Sequence, residues 1–309
     1  MRAYLGLIFV VLLILCAFYA AVSDVFLTWP NILNIFTASA TIGLLAIGAT
    51  FVIGAGGLDL SVGSLMALSA MAGVLAAGSS PSLFMIVFFC LMTGLFMGAL
   101  NGALIGGLKL PAFIVTLGML SIARGLALIL SGGHPVYGLP DSVVFLGQGR
   151  VGGIPVPVIV FLSAGLFGSL LLSRTRFGRH GLAIGDNEKA SRNAGIRIFR
   201  HKVALYAFSG LLAATAGLLA MGRVNAADPG AGMMYELTAI TAAIIGGTSL
   251  SGGRASVPGA MMGALIMGVL QNGMTLMNVP AYYQQLAVGV VLISVVAFGQ
   301  WRGVHAAAR

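Results

Sequence analysis

Charge is what this sequence has least of. Of its 309 residues only 7% are Asp, Glu, Lys or Arg, against roughly 25% in an ordinary globular chain. Acids are the scarcer sign, with 7 Asp and Glu against 16 Lys and Arg. So few charged side chains cannot give a body of this size a wettable surface. That excludes a soluble enzyme, a disordered chain and a nucleic-acid binder. Cysteine is nearly absent: Cys16 and Cys90 both lie in apolar runs. With no C-x-x-C pair, neither a disulfide framework nor a zinc site is supported. Lysine occurs only at 109, 189 and 202 and never follows glycine, so the chain has no G-x-x-x-x-G-K-[ST] phosphate loop. The histidines at 134, 180, 201 and 305 are scattered, and neither H-E-x-x-H nor G-x-S-x-G occurs. This inventory leads to the expectation of no catalytic group, no cofactor and no metal ion.

What is present is apolar. Hydrophobic residues make up 59% of the chain, and the mean hydropathy is +1.05. A helix needs about 20 apolar residues to cross the hydrocarbon of a bilayer. Uncharged windows cover 25–58, 60–108, 151–173, 203–222 and 255–301. Gly, Ser, Pro and Asn clusters divide them. The pattern predicts ten spans, at 4–22, 31–54, 60–78, 83–106, 111–131, 157–173, 203–222, 237–251, 256–276 and 284–300. The first resembles a signal peptide, with Arg2 before an apolar run, but Tyr4–Val22 is long for one and reads as an uncleaved anchor. The expected fold is all-α: a single transmembrane helical bundle over 1–309 with broken or re-entrant helices. The 45 glycines suit it, since glycine lets membrane helices approach and break.

The excess of positive charge is topological. With segment 174–202 in the cytoplasm, its eight basic residues join Arg2, Lys109, Arg254, Arg302 and Arg309 inside. Only Arg150 and Arg223 fall outside, and Arg124 lies within a span. This is the positive-inside pattern, and an even number of spans places both termini in the cytoplasm.

Two halves, about 31–131 and 203–300, share a pattern. Gly56-Gly57-Leu58-Asp59-Leu60-Ser61 echoes Gly246-Gly247-Thr248-Ser249-Leu250-Ser251, and Ser61-Val62 with Met66 echoes Ser256-Val257 with Met261. On the topology above the repeat is parallel, and duplicated folds of that kind carry their solute between the halves, near broken helices. Asp59 is the most informative residue, the lone acid between Asp24 and Asp141. A carboxylate at membrane depth needs a partner or water. It either lines the inner end of a solute path or caps the next helix through amides near Ser61 and Val62. Asn101, Thr116, Arg124, Thr238, Thr241 and Asn272 are further polar residues within spans. They serve as interhelical bonds or, as a set, suit a neutral hydroxylated solute. No cluster of carboxylates or histidines suggests ion coupling. Arg124 calls for a cavity or a helix-end partner.

Segment 174–202 carries the other signal. Asp186 or Asn187 is a good N-cap, Glu188 suits a first turn, Arg192 a last turn, and Gly195 a C-terminal stop. With Ala190 and Ala194 between them, this predicts a helix of about two turns flanked by basic arms containing Arg176, Gly178, Arg179 and Gly185. Two turns are marginal in water alone. The helix therefore reads either as a docking element for a partner surface or as a basic loop on anionic lipid headgroups.

Four motifs in order resemble the permease subunits of bacterial ABC sugar importers, the ribose/xylose/arabinose/galactoside permease family. They are Gly-Gly-Leu-Asp-Leu-Ser-Val-Gly-Ser (56–64), the stretch from Gly98 through Asn101 on to Leu110–Gly118 and Arg124-Gly125, the segment from Phe177 to Ile196, and Ile244–Gly259. Ser191 stands where that family often has alanine. The resemblance implies a ten-span permease of the cytoplasmic (inner) membrane, without enzymatic activity of its own. It implies a second permease copy or related partner, ABC ATPase subunits docked on the segment 174–202, and a periplasmic sugar-binding protein at the outer loops 132–156 and 223–236. The motif positions Asp59, Ser61, Asn101, Thr116 and Arg124 carry over as path or hairpin residues. A secondary transporter or channel without an ATPase, and a membrane enzyme using Asp59, are the competing readings.

Overall fold

The computed structural model describes the backbone of residues 2–78 and 82–307, and the side chains of 5–78 and 82–297. Of the basic residues used for orientation, the side chains of Arg2 and Arg302 and the whole of Arg309 lie outside that description. The elements in chain order are α1 (Arg2–Val22), α2 (Trp29–Gly54), α3 (Val62–Ala76), α4 (Leu83–Gly107), α5 (Ala112–Ser131), β1 (Val136–Tyr137), α6 (Asp141–Gln148), β2 (Arg150–Val151), β3 (Ile154–Pro155), α7 (Val156–Arg174), α8 (Arg176–Asp186), α9 (Glu188–Asn193), α10 (Ile198–Val224), β4 (Ala226–Ala227), α11 (Tyr235–Ile245), α12 (Val257–Leu276) and α13 (Ala281–Ala307). This is a polytopic helical bundle, and ten of its helices fall on the ten predicted spans. Among the described residues, seven helices are long and apolar enough to cross a membrane; α3, α11 and the 281–297 part of α13 are shorter apolar helices.

Burial divides these helices by position. Helix α2 is buried along most of its length from Ser39 to Gly54, and α10, α11 and α12 pack around it. Helices α1, α4, α5 and α7 face outward with Phe9, Ile14, Phe96, Ile129 and Leu166, all more than half exposed. A belt of large apolar side chains around a glycine- and alanine-rich centre is the inverse of a water-soluble surface. The most extensive helix packing joins α4 and α10. Gly94, Gly98 and Gly102 recur every four residues on one face of α4, and a Cβ at any of them would collide with the α10 backbone near Gly210, Tyr206 and Lys202 respectively. Small residues at this spacing let two membrane helices approach to backbone contact.

Several boundaries differ from the expectation. Helix α10 starts at Ile198 rather than near Val203, because the Arg200 and Lys202 stems extend the helix beyond its apolar part. Helix α11 stops at Ile245, not at 251: Gly246-Gly247 ends it, and Gly247 adopts φ +90°. At 11 residues α11 is too short to cross 30 Å of hydrocarbon at about 1.5 Å per residue. The segment 225–234 leads into α11 as irregular chain in which buried and exposed residues alternate. There Gly232 touches Gly63 of α3, and β4 pairs antiparallel with β1 through Val136–Ala227 and Tyr137–Ala226. Within the stretch expected as a basic arm, residues 176–186 form the helix α8. Glycines at 178, 181 and 185 conceal it in the sequence, while Thr175 caps it by accepting from the Gly178 amide at 3.4 Å. Helix α6 lies within the segment 132–156, where the sequence pattern predicts no helix.

Candidate functional site

The first hairpin forms where α2 breaks. Gly56 takes φ +75°, and the Gly56 and Gly57 amides donate back to the Ile53 and Val52 carbonyls, both at 2.9 Å. This closes the helix end as a Schellman motif. Residues 57–61 then run unwound inside the bundle, so their polar groups must find protein partners. They find them on three helices. The Leu58 carbonyl accepts from Thr116 Oγ1 on α5 at 3.3 Å and from Tyr206 Oη on α10 at 3.2 Å. Asp59 is 1% exposed. Its Oδ1 accepts from the Ser61 amide at 3.0 Å and from Ser61 Oγ at 2.6 Å, and its Oδ2 accepts from Ser209 Oγ at 2.9 Å. Asn101 Nδ2 on α4 donates to Ser61 Oγ at 2.9 Å. Asp59 thus joins the turn before α3 to α10; of the expected cap it makes only the bond to the Ser61 amide, and no side chain caps the amides of α3. Asp59, Ser61, Asn101 and Thr116 come together as one occluded cluster. Asn101 Oδ1 within it has no partner.

The second hairpin, between α11 and α12, repeats the device. The Gly247 and Thr248 amides donate to the Ile244 and Ala243 carbonyls at 2.9 and 3.1 Å. The left-handed residue is the first glycine of one pair, Gly56, and the second of the other, Gly247. The two helix ends therefore correspond with an offset of one residue from the sequence echo. Ser61 and Ser256 are the equivalent N-caps of α3 and α12, and Ser256 Oγ accepts from the Gly259 amide at 3.1 Å. Gly246 packs against the backbone of Gly259 and Ala260. Thr248 Oγ1 is buried without a partner, whereas Ser249 lies in the loop with its Oγ 2.8 Å from that of Ser251.

The two hairpins touch each other and α8. The Gly253 amide donates to the Gly54 carbonyl at 3.0 Å. Gly185, at the end of α8, sits so close to both that a Cβ there would strike the Gly54 carbonyl oxygen and lie 2.8 Å from the Gly253 nitrogen. Gly178 is equally tight against the Leu171 and Leu172 backbone at the end of α7. Asp186 and Asn187 follow at once. Asn187 Oδ1 caps α9 by accepting from the Ala190 amide at 2.9 Å, and Gly195, φ +82°, ends the turn beyond it. Glu188 bonds Arg192 at 2.9 Å and Lys202 of α10 at 2.8 Å. Chiefly the Lys202 bond holds the Glu188 carboxyl below the ordinary glutamate range. Lys189, Ala190, Arg192, Asn193 and Ala194 are exposed, and Ser191 is the buried side of α9. Arg176 and Arg179 are exposed on α8.

Two predicted positions lie elsewhere. Arg124 is partnered by loop carbonyls rather than by a helix end: its Nη1 donates to the Pro229 and Ala231 carbonyls, tying α5 to the segment before α11. Asn272 forms a reciprocal amide pair with Asn31, at 2.9 and 3.1 Å, joining α12 to α2. Sequence reasoning missed Ser209, Tyr206 and Glu236. The first two look like ordinary span residues. Glu236 is 8% exposed, and an acid within an apolar run was the signal available for it.

Residues 31–296 match the family model described as the permease component of the branched-chain amino acid transport system. The chain belongs to that permease family. Within it, sugar permeases are similar to this chain over almost its full length. The ribose import permease of Bacillus subtilis is 42% identical over 294 residues, covering 94% of this chain and 89% of the relative. The D-allose transport system permease of Escherichia coli is 38% identical over 294 residues, covering 94% and 90%. The L-arabinose ABC transporter permease of Azospirillum brasilense is 34% identical over 297 residues, covering 96% and 87%. No solved structure matches the chain.

Proposed function

We propose that this permease moves a monosaccharide, a ribose-like pentose or related sugar, across the bacterial inner membrane by alternating access driven by separate ATPase subunits. The observation that carries the reading is the seat of α8 against both hairpins. An ATPase gripping the exposed face of α9 displaces α8, and Gly185 transmits that displacement to Gly54 and Gly253 together. When the hairpins part, the free acceptors of Asn101 and Thr248 gain sugar hydroxyls as partners. ATP hydrolysis belongs to the partner subunits. Each tenfold of accumulation costs about 1.4 kcal/mol, so an energy source must be coupled. A second permease copy completes the path. A periplasmic sugar-binding protein delivers its cargo to the face where β1 and β4 join the outer loops. Both termini lie in the cytoplasm.

The test is made on the reconstituted complex. Arg192→Glu reverses charge on the docking face, and Gly195→Pro forces φ to about −65° where +82° is needed. Both variants should abolish sugar-stimulated ATP hydrolysis while leaving the basal rate of the ATPase subunits. Unchanged stimulation in both removes the coupling role from α9. Uptake by the chain alone in liposomes under an ion gradient would establish a secondary transporter instead. Identifying the ligand of the cognate binding protein names the sugar.

A further inference from the structure

The end of α4 and the start of α10 border an open groove of about 630 Å³ beside α9, with Lys109, Arg192, Arg197 and Arg200 exposed along it. Lys109, Arg192, Arg197, Arg200 and Lys202 line it, with Glu188 as the one carboxylate. Glu188 is already shared between Arg192 and Lys202. Among the described residues, Lys109, Arg197 and Arg200 have no carboxylate partner. Helix α10 adds to the positive field: its first turn, Ile198 to Arg200, lines the same groove and begins without a side-chain cap. Helix N-termini of this kind favour phosphate and other anions.

A second hollow of about 440 Å³ adjoins the first, with Phe199 and Arg200 lining both. Its other walls are apolar: Phe96, Leu100 and Ala103 of α4 with Val203 of α10. Phe96 and Phe199 are 67% and 49% exposed, on the outward flank of two membrane helices. A basic groove that opens along the helices into an apolar trench has the polarity of one amphiphile. A free anion fills only the basic end of the groove, whereas an amphiphile occupies both ends.

We propose that this groove binds an anionic phospholipid from the leaflet on the side of the basic segment. The phosphate lies among Lys109, Arg197, Arg200 and the first-turn amides of α10, and an acyl chain lies in the Phe96–Val203 trench. The site stands apart from the transport reading, because it needs only the chain and a bilayer.

The experiment is native mass spectrometry of the full-length chain with phosphatidylglycerol and phosphatidylcholine of identical acyl chains. Phosphatidylglycerol should be retained selectively. Lys109→Gln, Arg197→Gln and Arg200→Gln should each lower its retention roughly fivefold, about the worth of one interfacial cation, without changing phosphatidylcholine. Ala103→Trp, which fills the trench, should lower both lipids. If that variant does not fold, the three surface glutamine variants carry the test. Equal retention of the two lipids, or insensitivity of phosphatidylglycerol to all three substitutions, overturns the proposal. So does competition by glycerol phosphate as effective as by the whole lipid, which would reduce the groove to a plain anion site. Complete exclusion of the lipid when ATPase subunits are bound would assign the surface to that partner and likewise overturn it.

Discussion

Asp59 shows how one side chain can hold a broken helix inside a membrane. Its two oxygens take three hydrogen bonds, two from Ser61 and one from Ser209. Removing the acceptor leaves buried donors unpaired, at about 1–3 kcal/mol for each group. Asp59→Ala should therefore lower the thermal midpoint of the purified chain markedly. Asp59→Asn should lower it little, because an amide oxygen still accepts from Ser61 and Ser209 Oγ can turn to accept from the amide nitrogen. Equal losses in the two variants would show that these bonds contribute nothing specific. Gly185 offers a second residue-scale test. Gly185→Ala places a methyl group against the Gly54 backbone, and overpacking of this sort costs about 1–3 kcal/mol. Gly118→Ala meets open space and should be tolerated. Stimulated hydrolysis in the assembled transporter and the unfolding midpoint should both fall for the first variant and hold for the second.

At the scale of elements, α8 and α9 differ in what holds them. Helix α9 has six residues and depends on its cap. Asn187→Ala removes the bond to the Ala190 amide and should cost about 1 kcal/mol, seen as faster hydrogen exchange across 190–194 with exchange in α2 unchanged. Helix α8 is tied to α10 through His180 Nδ1 and His201 Nε2, 3.1 Å apart. The Arg197 carbonyl lies 3.2 Å from His201 Nδ1, so that nitrogen donates and leaves Nε2 to accept from His180. Burial first, then His201, Arg176 and Arg179, hold His180 below its usual value. The folded state prefers the neutral ring, so this contribution is intact above the ordinary histidine range and fades as pH falls through the depressed His180 value. The ring titration followed by NMR should show a midpoint below that of an exposed histidine, and His201→Gln should move it upward. A midpoint at or above the exposed value contradicts the assignment.

For the whole molecule, orientation decides which end meets ATP. Lys189 and Ile154 are both exposed, on α9 and at the β2–β3 turn. Cysteine introduced at Lys189 should react with a membrane-impermeant maleimide only in inverted vesicles, and at Ile154 only in right-side-out vesicles. The opposite pattern would place α9 outside the cell, away from any cytoplasmic ATPase. The native thiols do not obscure the result, since Cys90 is buried and Cys16 half-buried in α1.

Composition alone settled the membrane class, because 7% charge cannot solvate a bundle of this size. Local signals settled the first helix break and narrowed the cap of α9 to Asp186 or Asn187, while the expected span 237–251 ran past the second break at Gly246-Gly247. A Gly-Gly pair and an Asn three residues before Ala190 act on neighbours within one turn, so their meaning is written where they stand. The long-range partners depended on the fold. Ser209 reaches Asp59 across 150 positions, and Tyr206 reaches Leu58 across 148. Nothing in either residue's own neighbourhood marks that role. Helix α8 was hidden for a related reason: its glycines argue against a helix in isolation, yet the backbone of α7, α2 and the second hairpin leaves room for nothing larger at 178 and 185. Periodicity and caps are properties of a segment, whereas the junction through which a distant motor could act on both hairpins exists only once three separate parts of the chain are packed to backbone contact.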